Sequence, residues 1–262
     1  MKERLRHNDI AVLNAGIIGS SPLLEDILFA GKIRDYRPTL VLLFLDATDI
    51  GDDIQYSREL KEDGGSVHFE LKNRELNSVR HYYGAVFELA RPYVEPAMDY
   101  LVSAATGRPR RKYDYYDFQL NLNGTVETNR FFIYRYPLAV TRPYFLKTLE
   151  HINHLAAAVQ ASGARFILVV APRFHHWNPR ECPKNWERKE YSTDEPFQYE
   201  YFRFFDEIRG SLGYPVLNLL PVFRETKEFP LVFEDDPHWN VRGHAFVANV
   251  LAGFLTQNHL AN

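Results

Sequence analysis

Asp235 and His238 stand three residues apart in Phe233-Glu-Asp-Asp-Pro-His-Trp-Asn-Val-Arg-Gly-His244. A carboxylate at that separation in a turn can orient an imidazole and stabilise its protonated form, which leaves the other ring nitrogen free to work as a general base. Asp236 is the second, weaker candidate for the carboxylate. A D-x-x-H turn is also a common surface feature, so its meaning depends on the elements around it. Three further groups carry potential chemistry. Ser20 follows Gly19 at the end of an apolar run, the broad geometry of a nucleophile elbow, although Ser20 or Ser21 before Pro22 equally suits a helix cap. His175 and His176 follow another apolar run and invite a metal reading with Asp235 or Asp236. Adjacent histidines in an extended segment point to opposite sides, so that spacing argues against one shared ion and no metal is expected. Cys182 is the single cysteine, so no internal disulfide is available and no zinc-site spacing accompanies it.

The elements that must position these groups read as alternating strands and helices. Four apolar runs, Ile10 to Asn14, Leu40 to Leu45, Phe166 to Ala171 and Val216 to Leu219, have the length and composition of parallel strands buried on both faces. Leu23, Leu24, Ile27, Leu28 and Ile33 keep helical spacing between the first two runs. Tyr144 to Ser162 carries Leu146, Leu149, Ile152, Leu155, Ala156 and Val159 on one face, with Gly163 as a stop. Gly243 to Gln257 closes the chain with Phe246, Val247, Val250, Leu251 and Leu255 as its stripe. The expected fold is a doubly wound, flavodoxin-like α/β sheet, mostly parallel, with helices on both faces, and such sheets bind ligands beyond the carboxyl ends of their strands. Residues 52–142 fit this scheme least. They hold a helical stretch around Ser78 to Ala105, the basic Arg108-Pro-Arg-Arg-Lys112 and the polar Asn121-Leu-Asn-Gly124, and read as an aromatic-rich insertion packed over the strand ends, either shaping a substrate pocket or forming a lid, or else a structural elaboration or an oligomer contact.

Three segments together resemble the SGNH (GDSL-like) hydrolase family. The final block resembles the family's D-x-x-H-W-N-x-x-G-H pattern, with Asn240, Gly243 and His244 in place. The resemblance implies that Asp235 is the catalytic carboxylate, that His238 is the base, and that His244 packs or caps the last helix. Val12-Leu-Asn-Ala-Gly-Ile-Ile-Gly-Ser20 is similar to the second block, which makes Gly19 an oxyanion donor through its backbone N–H. Arg37-Pro-Thr-Leu-Val-Leu-Leu-Phe-Leu-Asp-Ala-Thr-Asp49 is similar to the third block, with Thr48 in the oxyanion position that the family fills with asparagine. The family's first block, G-D-S at the end of the first strand, carries the serine nucleophile. It is not found here, and neither G-D-S nor G-x-S-x-G occurs anywhere in the chain. In that fold the first strand lies between the second and third. The expectation is therefore a single, N-terminally incomplete domain over residues 1–262, with residues 52–142 inserted in it.

The function this resemblance implies is that of a hydrolase or acyltransferase acting on ester bonds, inactive as this chain stands, on a small-molecule, glycan or lipid ester and without a cofactor. The alternative is a catalytically dead domain of the same shape that binds a glycan or a protein. A net charge of −3 gives no field for nucleic acid. The charged N-terminus has no signal-peptide core, and no apolar run is long enough to span a membrane. The chain as written reads as cytoplasmic, and its localisation is otherwise open.

Overall fold

The computed structural model describes residues 10–17, 19–62, 118–122, 124–185, 187 and 194–260. The expected helix at 78–105 and the basic run at 108–112 lie outside these residues. The elements in chain order are α1 (Pro22–Gly31), β1 (Leu40–Leu45), α2 (Asp49–Glu62), β2 (Leu120–Leu122), β3 (Thr125–Glu127), α3 (Leu138–Ala161), β4 (Arg165–Val170), α4 (Glu200–Ile208), β5 (Val216–Asn218), α5 (Leu220–Glu225) and α6 (Val241–Gln257).

The fold is mixed α/β. Its main sheet has the order β1-β4-β5, parallel throughout, with Leu40 opposite Arg165, Leu45 opposite Val170, and Leu168 opposite Val216. Strands buried on both faces need helices on both, and the side chains divide accordingly. Leu43, Leu45, Phe166, Leu168 and Val170 pack in one cluster with Phe29 of α1 and Leu149, Ile152, Leu155 and Val159 of α3. Ile167 and Val169 pack on the other side with Phe223 of α5 and Val247, Leu251 and Leu255 of α6.

Local signals explain most boundaries. Pro22 opens α1, as expected of a residue whose missing N–H costs nothing in the first turn. At the end of α3 the N–H of Gly163 bonds the carbonyl of Gln160 and that of Ala164 bonds Val159, which satisfies two orphan carbonyls. α3 begins six residues before the expected Tyr144, because Pro143 lies within the helix and Pro137 caps it. The hairpin β2–β3 is antiparallel, and Asn121 Oδ1 accepts the Gly124 N–H at 2.9 Å. The described ends of the expected insertion belong to the core. Phe118, Leu122, Phe131, Phe132, Ile133 and Tyr134 are all buried within the α1–α3 side of the sheet.

One expected strand is corrected. Residues 10–14 form no strand, and Val12 and Leu13 are 59% and 53% exposed. Their apolar character has another use: they wall a cleft whose opposite wall is Leu40 to Phe44, so they face β1 across open space rather than joining its ladder. Two helices gave no clear signal in the sequence. In α4, Tyr201, Phe202, Phe204 and Phe205 fill one buried face, and α5 is a short turn opened by Pro221.

Candidate functional site

Residues 231–240 form a loop closed on itself before α6. The Phe233 N–H bonds the carbonyl of His238 at 3.2 Å, and the Asn240 N–H bonds that of Leu231 at 3.0 Å. Asn240 then fastens the loop to the helix. Its Oδ1 accepts the Gly243 N–H at 3.0 Å, while Nδ2 donates to Pro230 at 3.1 Å and Val232 at 2.8 Å. A methyl group on Gly243 would sit 2.1 Å from the Leu231 carbonyl oxygen, so only glycine allows that approach. The Asn and Gly of the motif are thus the braces of the turn that carries His238.

At the tip of this loop, Asp236 Oδ1 accepts the His238 backbone N–H at 2.9 Å, and the same oxygen lies against His238 Nδ1. The carboxylate on the imidazole is therefore that of Asp236, where the resemblance expected Asp235. The cause is local: Asp236-Pro-His238 makes an Asx turn that folds the side chain of its first residue onto the third. Asp235 is exposed, on the side of the loop where Lys184 pairs with Glu234. The His238 side chain is 72% exposed, so its second ring nitrogen is accessible. Trp239 anchors the loop to the sheet, edge-on to Phe44 at 6.2 Å and stacked on Phe223 at 5.8 Å. His244 packs edge-on to Trp239, while the capping is done by Asn240.

The other predicted site residues lie beyond the carboxyl end of β1. Gly19 has φ 64°, a left-handed conformation that suits glycine, and its carbonyl accepts from Tyr56 Oη of α2 at 2.8 Å. Ser20 sits in the same turn, its N–H bonded to the carbonyl of Ile17. Ser21 is fully buried at the N-cap of α1 and makes no side-chain cap bond. Thr48 is buried, and its hydroxyl donates to Asp46 Oδ1 at 3.1 Å, an oxygen that also accepts the Thr48 N–H at 2.9 Å. That hydroxyl is engaged by the Asp46 carboxylate of its own turn, whose side chain is 38% exposed.

Sequence reasoning missed a polar cluster at this edge. Arg173, just past β4, donates to Asp46 at 3.0 Å and pairs with Glu187. Arg130 reaches Glu187 at 3.4 Å and Asp52 at 3.7 Å. Burial raises the Asp46 carboxyl, but the Arg173 charge and the Thr48 hydrogen bonds outweigh it and hold Asp46 below its usual range. Asp49 goes the other way: burial, then the neighbouring Glu25, Asp46 and Asp52, push it well above. Burial, then Asp53, raises Glu25 to about 8. The available signal was the repetition Asp46, Asp49, Asp52, Asp53 around a strand end, a density of carboxylates that a buried strand terminus tolerates only with cations or protons.

His175 and His176 are not extended. They lie in a helical turn, both buried, with ring centroids 4.1 Å apart, against Tyr134, Phe174 and Phe202. Burial, then the neighbouring His176 and Arg173, keeps His175 far below its usual range, and burial lowers His176 to about 3. Both rings are neutral members of an aromatic core. Among the described residues no group of three or more His, Cys, Asp or Glu is arranged to hold a metal, and no helix is long and apolar enough to cross a membrane. Cys182 is buried against Phe174 and Val232.

Compared with protein-family models, with curated proteins and with solved structures, the chain gives no match.

Proposed function

We propose that this chain has the SGNH-type, flavodoxin-like fold of a domain that hydrolyses or transfers ester-linked acyl groups, with His238 as its proton shuttle. The observation that carries the reading is the Asp236–His238 pair. A carboxylate is fixed on one ring nitrogen by a turn, and the imidazole is presented to solvent on a loop braced by Asn240 and Gly243. In acyl transfer the carboxylate holds the ring tautomer and stabilises the imidazolium, the ring takes the proton of the attacking hydroxyl, and it returns that proton to the leaving oxygen. Gly19 and Thr48 are the proposed oxyanion donors. With the Thr48 hydroxyl turned to Asp46, its contribution would come only after rearrangement.

No G-D-S or G-x-S-x-G serine accompanies the pair, so residues 1–262 alone are expected to be inert toward esters. The test compares residues 1–262 with a form carrying the in-frame codons upstream of Met1, assayed on short-chain p-nitrophenyl esters. Turnover by the longer form, lost in His238→Ala, supports the reading. A folded longer form that is silent on varied acyl and glycan esters turns it over to the second reading, a binding module of the same shape. That reading is favoured by the Thr48 hydroxyl being taken up by Asp46.

A further inference from the structure

Gly19 and Thr48 lie far apart in the chain, yet both are tied to α2. Thr48 leads directly into that helix, and its carbonyl accepts the Asp52 N–H at 3.0 Å. α2 reaches the Gly19 turn through Tyr56, whose buried side chain donates its hydroxyl proton to the Gly19 carbonyl at 2.8 Å. Asp53 stands three residues earlier on the same helix face, and its Oδ1 accepts the N–H of Leu23, in the first turn of α1, at 3.0 Å. Its other oxygen lies 3.0 Å from His151 Nδ1 of α3, and the Asp53 side chain is 1% exposed.

The Asp53 contact replaces one that α1 could have made locally. Ser21 is the N-cap of α1 in extended backbone, where a serine hydroxyl ordinarily accepts from the second or third helical N–H. Here it makes no cap bond, and its Oγ is out of solvent without a hydrogen-bond partner. The Leu23 N–H goes instead to a carboxylate 30 residues away in the chain. A local cap would hold α1 only to itself, whereas a cap supplied by α2 holds the start of α1, and the turn before it, to α2. The peptide joining Gly19 to Ser20 is then held at both of its polar atoms, the carbonyl by Tyr56 and the N–H by the Ile17 carbonyl at 3.1 Å. Glycine rotates more freely than any other residue, so these bonds are what keep Gly19 at φ 64° and aim its own N–H. α2 has a footing of its own: a methyl group on Gly51 would lie 2.7 Å from the Arg130 carbonyl oxygen, and Arg130 pairs with Asp52 at 3.7 Å.

We propose that Asp53 and Tyr56 are positioning residues of the oxyanion site, a two-point clamp by which α2 sets the place of Gly19 relative to Thr48, a role that rests on the reading of those two residues as donors given above. His151 backs the clamp by holding the second oxygen of Asp53, which gives a buried carboxylate a partner on each side. The helix dipole of α1 favours that carboxylate at its N-terminus. Neither residue touches the reacting atoms in this role. Their effect is on direction, and a donor misplaced by about 1 Å forfeits much of the stabilisation it offers a developing oxyanion.

NMR relaxation on residues 1–262 tests the clamp without any ester chemistry. The Gly19 amide should have an order parameter of about 0.8 or more in wild type and below about 0.6 in Tyr56→Phe and in Asp53→Ala, while the amides of β4 stay rigid and show the fold intact. Asp53→Asn keeps an oxygen for Leu23 and offers an N–H to His151, so it should keep Gly19 rigid. The bearing on the reaction is read in a form whose upstream codons supply a G-D-S segment. There Tyr56→Phe should lower kcat on p-nitrophenyl acetate by about tenfold to a hundredfold with KM little changed, and Asp53→Asn should recover most of what Asp53→Ala loses. A Gly19 amide already mobile in wild type, or equally rigid in Tyr56→Phe, overturns the clamp. A loosened Gly19 with kcat unchanged overturns its role in the reaction, and His238→Ala, run alongside, shows whether the ester reading survives by itself. No turnover by that longer form, or no G-D-S segment upstream of Met1, overturns the role together with the ester reading, whatever the relaxation shows.

Discussion

Asp235 and Asp236 are neighbours with the same chemistry and opposite roles in the structure, one exposed beside Lys184 and the other turned onto His238. Sequence spacing cannot separate them, because the choice is made by the turn through Pro237 and not by residue type. In an ester-active form of the protein, Asp236→Asn should lower kcat by at least about a hundredfold with KM little changed, while Asp235→Asn should leave both within about threefold; steady-state kinetics on a p-nitrophenyl ester decides it. The motif's remaining residues were legible as a pattern but not in their function, which is bracing. Gly243→Ala places a methyl group against the Leu231 carbonyl and should cost about 3 kcal/mol or more. Asn240→Ala removes a helix cap and two further hydrogen bonds and should cost about 2 kcal/mol. Urea denaturation measures both, and wild-type stability in either variant would contradict the bracing role.

At the scale of elements, the apolar runs at 40–45, 166–171 and 216–219 were readable as parallel strands because both faces of each are covered, which forces continuous Leu, Ile and Val. The run at 10–14 looked the same and is not a strand, since a strand also needs a neighbour within ladder distance and sequence composition does not report one. α4 was hidden because its apolar residues are aromatic and interrupted by Arg203, and α5 because six residues give no period to detect. The charged bracket between β1 and β4 was equally hidden: its members, Asp46, Arg130, Arg173 and Glu187, are scattered along the chain. Glu187 and Arg173 are 2% and 9% exposed as side chains, so removing one leaves buried charge behind. Arg173→Ala should destabilise by about 3–5 kcal/mol, and Arg173→Ala combined with Glu187→Gln should recover part of that loss. If the double variant is instead additive by denaturant unfolding, the two do not act as a pair.

The whole molecule carries ionisable groups that push its stability in opposite directions with pH. Glu25 is raised to about 8 in the folded state, so its contribution is fully present below about pH 4.5, its unfolded value, and is lost as pH rises through about 8. The two buried histidines are depressed, so theirs is present above about pH 6.5 and is lost as pH falls toward their folded values. Stability should therefore peak between these arms. Glu25→Gln should flatten the alkaline arm, a gain on the order of 4 kcal/mol at pH 8 relative to wild type, with Asp49, also raised, responsible for any slope that remains; Tm against pH reads it out. An unchanged alkaline slope would place the ionised carboxylate in solvent. The central claim, that the loop bearing His238 is the proton shuttle of an acyl-transfer site, is tested most directly by fluorophosphonate labelling followed by intact mass and peptide mapping. Residues 1–262 should take no adduct. Where the in-frame codons upstream of Met1 encode a G-D-S segment, the form that carries it should take one adduct, on that serine, and should lose it in His238→Ala. An adduct on Ser20 of the 1–262 chain, or labelling of the extended form that survives His238→Ala, would contradict the account.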